Sequence, residues 1–263
     1  MLVVLRVFVA VGVATLFSIG LVFLARLTQK RHSMRGTDDV ETAYVTSVST
    51  LYGIFVAFMI FTVWNQYNEA KDAAAAEANS IAEVYQLAGG LDDPLKVRVR
   101  NLALKYAHSV IDYEWNTMRK GESSPRTQQI VNAMWILLNR MGPDIVKDSV
   151  LHDHLLTAWS KTGDVRRLRL EWSSSGLSSP AYALLIVGGL ITIGLACLFT
   201  TDDFLIHVIK ASAISVMIVM MLVTIWGLDH PYSSNVRIKP IPLTRMMEML
   251  PTVVNDSDPH VGL

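Results

Sequence analysis

Thr42, Thr46, Ser49, Thr50 and Gly53 step along the chain by four, three, one and three inside an apolar stretch. On a helix this spacing sets hydroxyls and a bare backbone along one face, while Val45, Val48, Leu51, Phe55 and Phe58 take the opposite side. Hydroxyls in such a setting bond their own preceding turn, bond a neighbouring helix, or face water. In the last case several copies of the helix around an axis would line a pore of modest polarity with Thr42, Thr46, Ser49, Thr50 and Gly53. The stripe carries no charge, so any ion selection falls to hydroxyls, helix dipoles or rings at the mouths.

Elsewhere the candidate chemistry is thin. His152 and His154 flank Asp153, but side chains two apart on a helix diverge by about 200°, so the trio reads as a solvated surface rather than a metal site. Asp202 and Asp203 read as caps of the apolar helix that follows them. Lys210 stands in the first turns of that helix, where the stem lies in the apolar zone and the ammonium reaches the interface. The sequence has no phosphate-cradling glycine loop, nucleophile elbow or HExxH pattern. A membrane enzyme would have to gather Glu69, Lys71, Asp72 and His230 by tertiary folding alone, so neither an enzyme nor a cofactor nor a metal is expected.

The elements that must carry the stripe follow from the distribution of charge. Four segments, Val7–Ala25, Tyr44–Trp64, Ala181–Thr200 and Phe204–Leu228, contain 85 residues and a single charge, Lys210. Of the other 178 residues 45 are charged, the proportion of an ordinary soluble domain. Each segment is long enough to cross about 30 Å of hydrocarbon as a helix. The first is too long for the apolar core of a signal peptide and lacks a small-x-small site before Arg26, so it reads as a retained span. Net charge is zero and no basic run exceeds two residues, which excludes a nucleic-acid partner. The single cysteine, Cys197, excludes a disulfide scaffold.

Residues 65–176 read as helices throughout. Asn65 to Ala88 contains no proline or glycine and holds six alanines from Ala70 to Ala78, so it continues the second span as one helix until Gly89 and Gly90 stop it. Asp93 is an expected N-cap with Pro94 at the first helical position, followed by Leu95, Val99, Leu102, Tyr106, Val110 and Tyr113 on one buried face. Gly121 ends that helix; Ser124 and Pro125 open another, carrying Ile130, Met134, Leu137 and Met141, and after Gly142 and Pro143 a last helical stretch runs toward Trp172. Gly188, Gly189 and Gly194 mark close helix contact in the third span. Beyond Asp229 five prolines predict an extended, docked segment. The fold class is therefore an all-α integral membrane protein: 1–64 with two transmembrane helices, 65–176 as a helical aqueous domain, 177–228 with two more, and 229–263 as an extended C-terminal segment. Arg26, Lys30, Arg31 and Arg35 oppose Lys71, Lys161, Arg166, Arg167, Arg169, Arg237, Lys239 and Arg245, and eight against four favours a cytoplasmic central domain and cytoplasmic termini in a bacterial inner membrane.

Gly53 to Tyr67, GIFVAFMIFTVWNQY, resembles the second transmembrane segment of bestrophins, in which a glycine stands the same distance before Trp-Asn-Gln-Tyr, here Trp64, Asn65, Gln66 and Tyr67. Asp229, His230, Pro231 and Tyr232 are similar to the polar-Pro-aromatic turn that follows the fourth span in that family. Over the whole chain the resemblance extends to the bacterial bestrophin-like domain proteins, including the acidic residue on the post-span helix, Glu77, and the Glu114-Trp115 pair. It implies a homo-oligomeric, pentameric channel in the lipid bilayer, conducting inorganic ions and mostly anions, with the second span lining a narrow neck at Thr46, Thr50 and Ile54. This chain departs from the pattern by placing threonines at two of the three neck positions, where bestrophins carry bulky apolar side chains. Ser233, Ser234, Asn235 and Val236 replace the acidic run of the animal calcium clasp, so calcium gating is not expected. The alternative from another class is a non-conducting membrane scaffold or sensor whose helical domain binds a partner and whose second-span hydroxyls are buried against other spans.

Overall fold

The computed structural model describes residues 9, 12–13, 15–24, 38–141, 148–198 and 204–250, with the side chains of 38–42 and 198 outside the description. All regular structure among them is helical. In chain order α1 is Thr15–Leu24, α2 is Asp38–Leu87, α3 is Leu95–Ser109, α4 is Trp115–Thr117, α5 is Pro125–Asn139, α6 is Ser149–Ser174, α7 is Ser179–Leu198, α8 is Phe204–Asp229 and α9 is Ile241–Met249. A π-helical stretch, Val110–Glu114, joins α3 to α4, and short 3-10 turns follow α2 and α4. Among the described residues three stretches are long and apolar enough to cross a membrane, Ala43–Gly90, Ser149–Cys197 and Phe204–Asp229, and the described part of the first expected span, α1, is shorter. The expected basic first loop and the Asp202-Asp203 turn lie outside the described residues.

At 50 residues α2 measures about 75 Å, more than twice the thickness of a hydrocarbon core, so the second span and the alanine-rich run are one helix as expected. The chain divides into two compact units. The first holds residues up to Gln66, Gly176–Asp229 and Ser234–Val236; the second holds Tyr67–Ser175, His230–Ser233 and the chain from Arg237.

In the first unit, α2 packs on α7 through Tyr52, whose hydroxyl donates to the Leu185 carbonyl at 3.0 Å. Gly188 and Gly189 make room for that ring: a Cβ on Gly188 would stand 2.7 Å from Tyr52 Cδ2. Gly194 has open space where its Cβ would be, so close approach explains two of the three expected glycines. Val22, Ile193, Cys197, Ala211 and Ile218 form the apolar centre, and Ser18 Oγ donates to Ser215 Oγ at 2.6 Å. Asp229, at the end of α8, accepts from the Leu177 amide at 2.8 Å and the Tyr182 hydroxyl at 2.6 Å.

The second unit is a helical bundle. Ala70, Ala74 and Ala78 of α2 are buried with Val99, Ala103 and Tyr106 of α3, Val131, Met134 and Leu138 of α5, and Leu155, Ala158 and Trp159 of α6. Tyr106 meets Trp159 edge to face at 5.3 Å. On α3 the expected face holds through Val110, but Tyr113 is exposed while Glu114 and Trp115 are buried. The π turn explains this, because an extra residue per turn rotates the following side chains out of the 3.6-residue phase. The N-cap of α3 is Pro94 rather than Asp93, with no side-chain cap bond. Gly121 adopts the left-handed conformation with φ 74°, and Ser124 Oγ accepts from the Thr127 amide as a cap. The C-terminal part departs from the extended expectation over Ile241–Met249, which is helical; Pro240 and Pro242 lie at its start, where a missing amide costs nothing, and Leu243 and Met246 anchor it in the core.

Candidate functional site

The hydroxyl stripe lies on α2, whose other positions decide which face is covered. Val45 and Tyr52 are half-buried and Val56 and Val63 fully buried, a run stepping by seven, four and seven that makes a single packing face. Thr46, Thr50, Gly53 and Ile54 lie off that face and are exposed, Ile54 at 64%, and the Cβ position of Gly53 opens on empty space. Ser49 is half-buried on the flank of the packing face, and the side chain of Thr42 is outside the description. Neighbouring hydroxyls bond their own helix, Ser47 Oγ to the Ala43 carbonyl at 2.8 Å and Thr62 Oγ1 to the Phe58 carbonyl at 2.9 Å. Leu51 and Phe58 are exposed as well, so α2 keeps a polar strip and an apolar strip uncovered by the other described residues.

Further along the same helix Glu77 enters a buried ionic cluster in the second unit. Arg169 donates from Nε and Nη2 to Glu77, the latter at 3.0 Å, and from Nη2 to Glu114 at 2.7 Å; its Nη1 rests on Met118 Sδ. Arg166 donates to both oxygens of Glu114, at 2.6 and 3.1 Å, and to Gln128 Oε1 at 2.7 Å. Tyr106 donates its hydroxyl to Glu77 at 2.5 Å, and the Ser124 amide donates to Glu114 at 3.2 Å. Two carboxylates thus face two guanidiniums with almost no solvent contact. Burial alone would raise the Glu114 carboxyl, but the hydrogen bonds and charge of Arg166 and Arg169 outweigh it and hold it below the ordinary carboxylate value. Burial and the neighbouring Glu77 push the Tyr106 hydroxyl far above its ordinary range. With charges matched and donors satisfied, the cluster works as a strut that ties α2, the π turn and α6 together.

Sequence reasoning named Glu77 and Glu114 but counted Arg166 and Arg169 only as positive charges near the membrane. The missed signal is periodic: Leu155, Trp159, Thr162, Arg166 and Arg169 are buried at steps of four, three, four and three, so both arginines continue the apolar stripe of α6. Removing these two from the eight positive charges on that side leaves six against four. Of the motif residues, Trp64 and Asn65 are exposed, Gln66 is half-buried, and Tyr67 packs against the second unit's core. Tyr232 is buried edge-on to Trp115 and donates to the Ala70 carbonyl at 2.9 Å, while Pro231 accepts from the Ile238 amide at 2.7 Å. His152 bonds the Leu138 carbonyl through Nε2 and His154 is exposed, so the two do not share a site. Lys210, Glu69, Lys71 and Asp72 are exposed.

The sequence matches the Bestrophin-like domain over residues 8–243. The chain belongs to the bestrophin-like family. Crystal structures of a bacterial bestrophin homologue from Klebsiella pneumoniae share the fold. One single-site variant gives a TM-score of 0.73 at 11% identity, covering 92% of this chain and 97% of that one. A second variant gives 0.73 at 10% identity, covering 95% and 99%. The structure phased through zinc gives 0.67 at 10% identity, covering 95% and 100%. Against curated proteins the sequence has no significant match.

Proposed function

We propose that this protein is one subunit of a homo-oligomeric, pentameric ion channel of bestrophin-like type, anion-conducting and lined by the hydroxyl face of α2. The observation that carries this reading is the placement of Thr46, Thr50, Gly53 and Ile54 on a face that no other described helix covers, while Tyr52 turns the opposite side of the same helix onto α7. A polar strip of this kind gains most where it meets water or a symmetry-related copy, and several copies around an axis supply both. Membership of the bestrophin-like family favours the same arrangement. The scaffold alternative requires second-span hydroxyls packed against other spans, and Thr46 and Thr50 are exposed instead.

Reconstitution in liposomes with chloride and potassium gradients tests the proposal. Flux is expected from the native chain, Thr50→Trp should block it at unchanged oligomeric state, and Thr50→Lys should shift the preference further toward anions. Native protein that leaves liposomes tight to both ions would sink the channel reading. The central domain and termini are proposed to be cytoplasmic in a bacterial inner membrane, which cysteine accessibility at exposed Lys161 and Lys71 positions would check.

A further inference from the structure

Beyond the ionic cluster, the second unit holds a cavity of about 300 Å³ walled by the segment from the π turn to the 3-10 turn and by the strap that leads to α9. Its floor is apolar and fixed. Trp115 Nε1 donates to the Ile238 carbonyl at 3.1 Å, its ring stands edge-on to Tyr232 at 5.6 Å, and Ile111 completes the surface. Its rim is cationic: Arg119, Arg237 and Lys239 line it with Asn116, and none of its described lining residues is acidic. None of the three cations forms an ion pair among the described residues, although the unit pairs its buried arginines completely. Three like charges converging on one small cavity repel one another, and an anion relieves that repulsion.

We propose that this cavity binds an organic phosphate, its phosphate held at the Arg119, Arg237 and Lys239 rim and its apolar body lying on Trp115 and Ile111. Arginine presents paired donors that match phosphate oxygens, and lysine adds a point charge. The volume lies at the lower end of small-ligand pockets, and the mixture of apolar floor with few polar anchors is their usual composition. The phosphate can come from a membrane lipid headgroup or from a soluble phosphate ester. Occupation would bridge Arg119, just after α4, to the strap at Arg237 and Lys239. The inference does not depend on conduction.

The full chain in phosphatidylcholine nanodiscs is titrated calorimetrically with phenyl phosphate, dihexanoyl phosphatidic acid, inorganic phosphate and dihexanoyl phosphatidylcholine. Phenyl phosphate or the phosphatidic acid should bind at least tenfold more tightly than inorganic phosphate, and added salt should weaken the binding; phosphatidylcholine should not bind. Tighter binding of phosphatidic acid than of phenyl phosphate identifies a lipid source, and the reverse order a soluble one. The triple variant Arg119→Gln, Arg237→Gln, Lys239→Gln changes only exposed side chains and should lose tenfold or more for both probes. Asn116→Trp, also exposed, fills the mouth and should abolish phenyl phosphate binding even if the triple variant proves unstable. Binding that survives both changes, inorganic phosphate binding as tightly as both organic probes, or no binding of either organic probe would overturn the proposal.

Discussion

Arg169 donates to Glu77 and Glu114 at once, so its side chain is the one whose loss leaves most charge uncompensated. Breaking a buried pair from one side costs about 3–5 kcal/mol, because the partner left behind is a bare buried charge. Arg169→Met is therefore expected to lower the unfolding free energy of the detergent-solubilised protein by about that amount, read from denaturant titration, and Glu77→Gln combined with Arg169→Met should recover part of the loss. The cluster also sets an acid limit. Glu114 is held below its ordinary value of 4.5, so its stabilising contribution is complete above that pH and fades as the pH falls through the lower folded-state value. Melting temperature measured from pH 5 downward should fall more gently in Glu114→Gln than in the native chain, and identical slopes would remove Glu114 from the account.

At the scale of elements, α2 is the organising feature, since one unbroken helix carries Thr46, Thr50, Tyr52 and Glu77. Its seat on α7 depends on the absence of side chains at Gly188 and Gly189. Gly188→Val forces the Tyr52 ring aside and is expected to destabilise by about 1–3 kcal/mol, the usual cost of overpacking. Tyr52→Phe should cost only about 1 kcal/mol, the lost bond to Leu185. The double change Gly188→Val with Tyr52→Ala should cost less than the sum of the two single ones, because the small side chain vacates the space the valine needs; thermal midpoints in detergent give the comparison. The π turn after α3 is the second element of consequence. By rotating the chain out of helical phase it buries Glu114 and Trp115 side by side, one in the ionic cluster and the other on the floor of the cationic cavity.

For the whole molecule the expected assembly follows from what the described residues of a single chain leave uncovered. Thr46, Thr50 and Gly53 on one strip of α2, and Leu51 and Phe58 on another, give a helix with surfaces suited both to an aqueous axis and to lipid or a neighbouring copy. Native mass spectrometry in mild detergent should give five copies, and a stable monomer would leave no axis for a pore.

The sequence by itself determined the all-helical class, the uncharged spans, the continuous second-span helix and the Gly121 and Ser124 boundaries, because periodicity, capping and apolar length act locally. It also proposed Thr46 and Thr50 as a polar stripe and singled out Glu77. Only the tertiary structure decided that Arg166 and Arg169 are buried partners rather than surface charges, that a π turn hides Glu114 while exposing Tyr113, and that Arg119 shares a cavity with Arg237 and Lys239. The ionic cluster and the cavity join groups more than fifty residues apart in the chain, and a buried charge is tolerated only when its partner arrives from elsewhere in the fold.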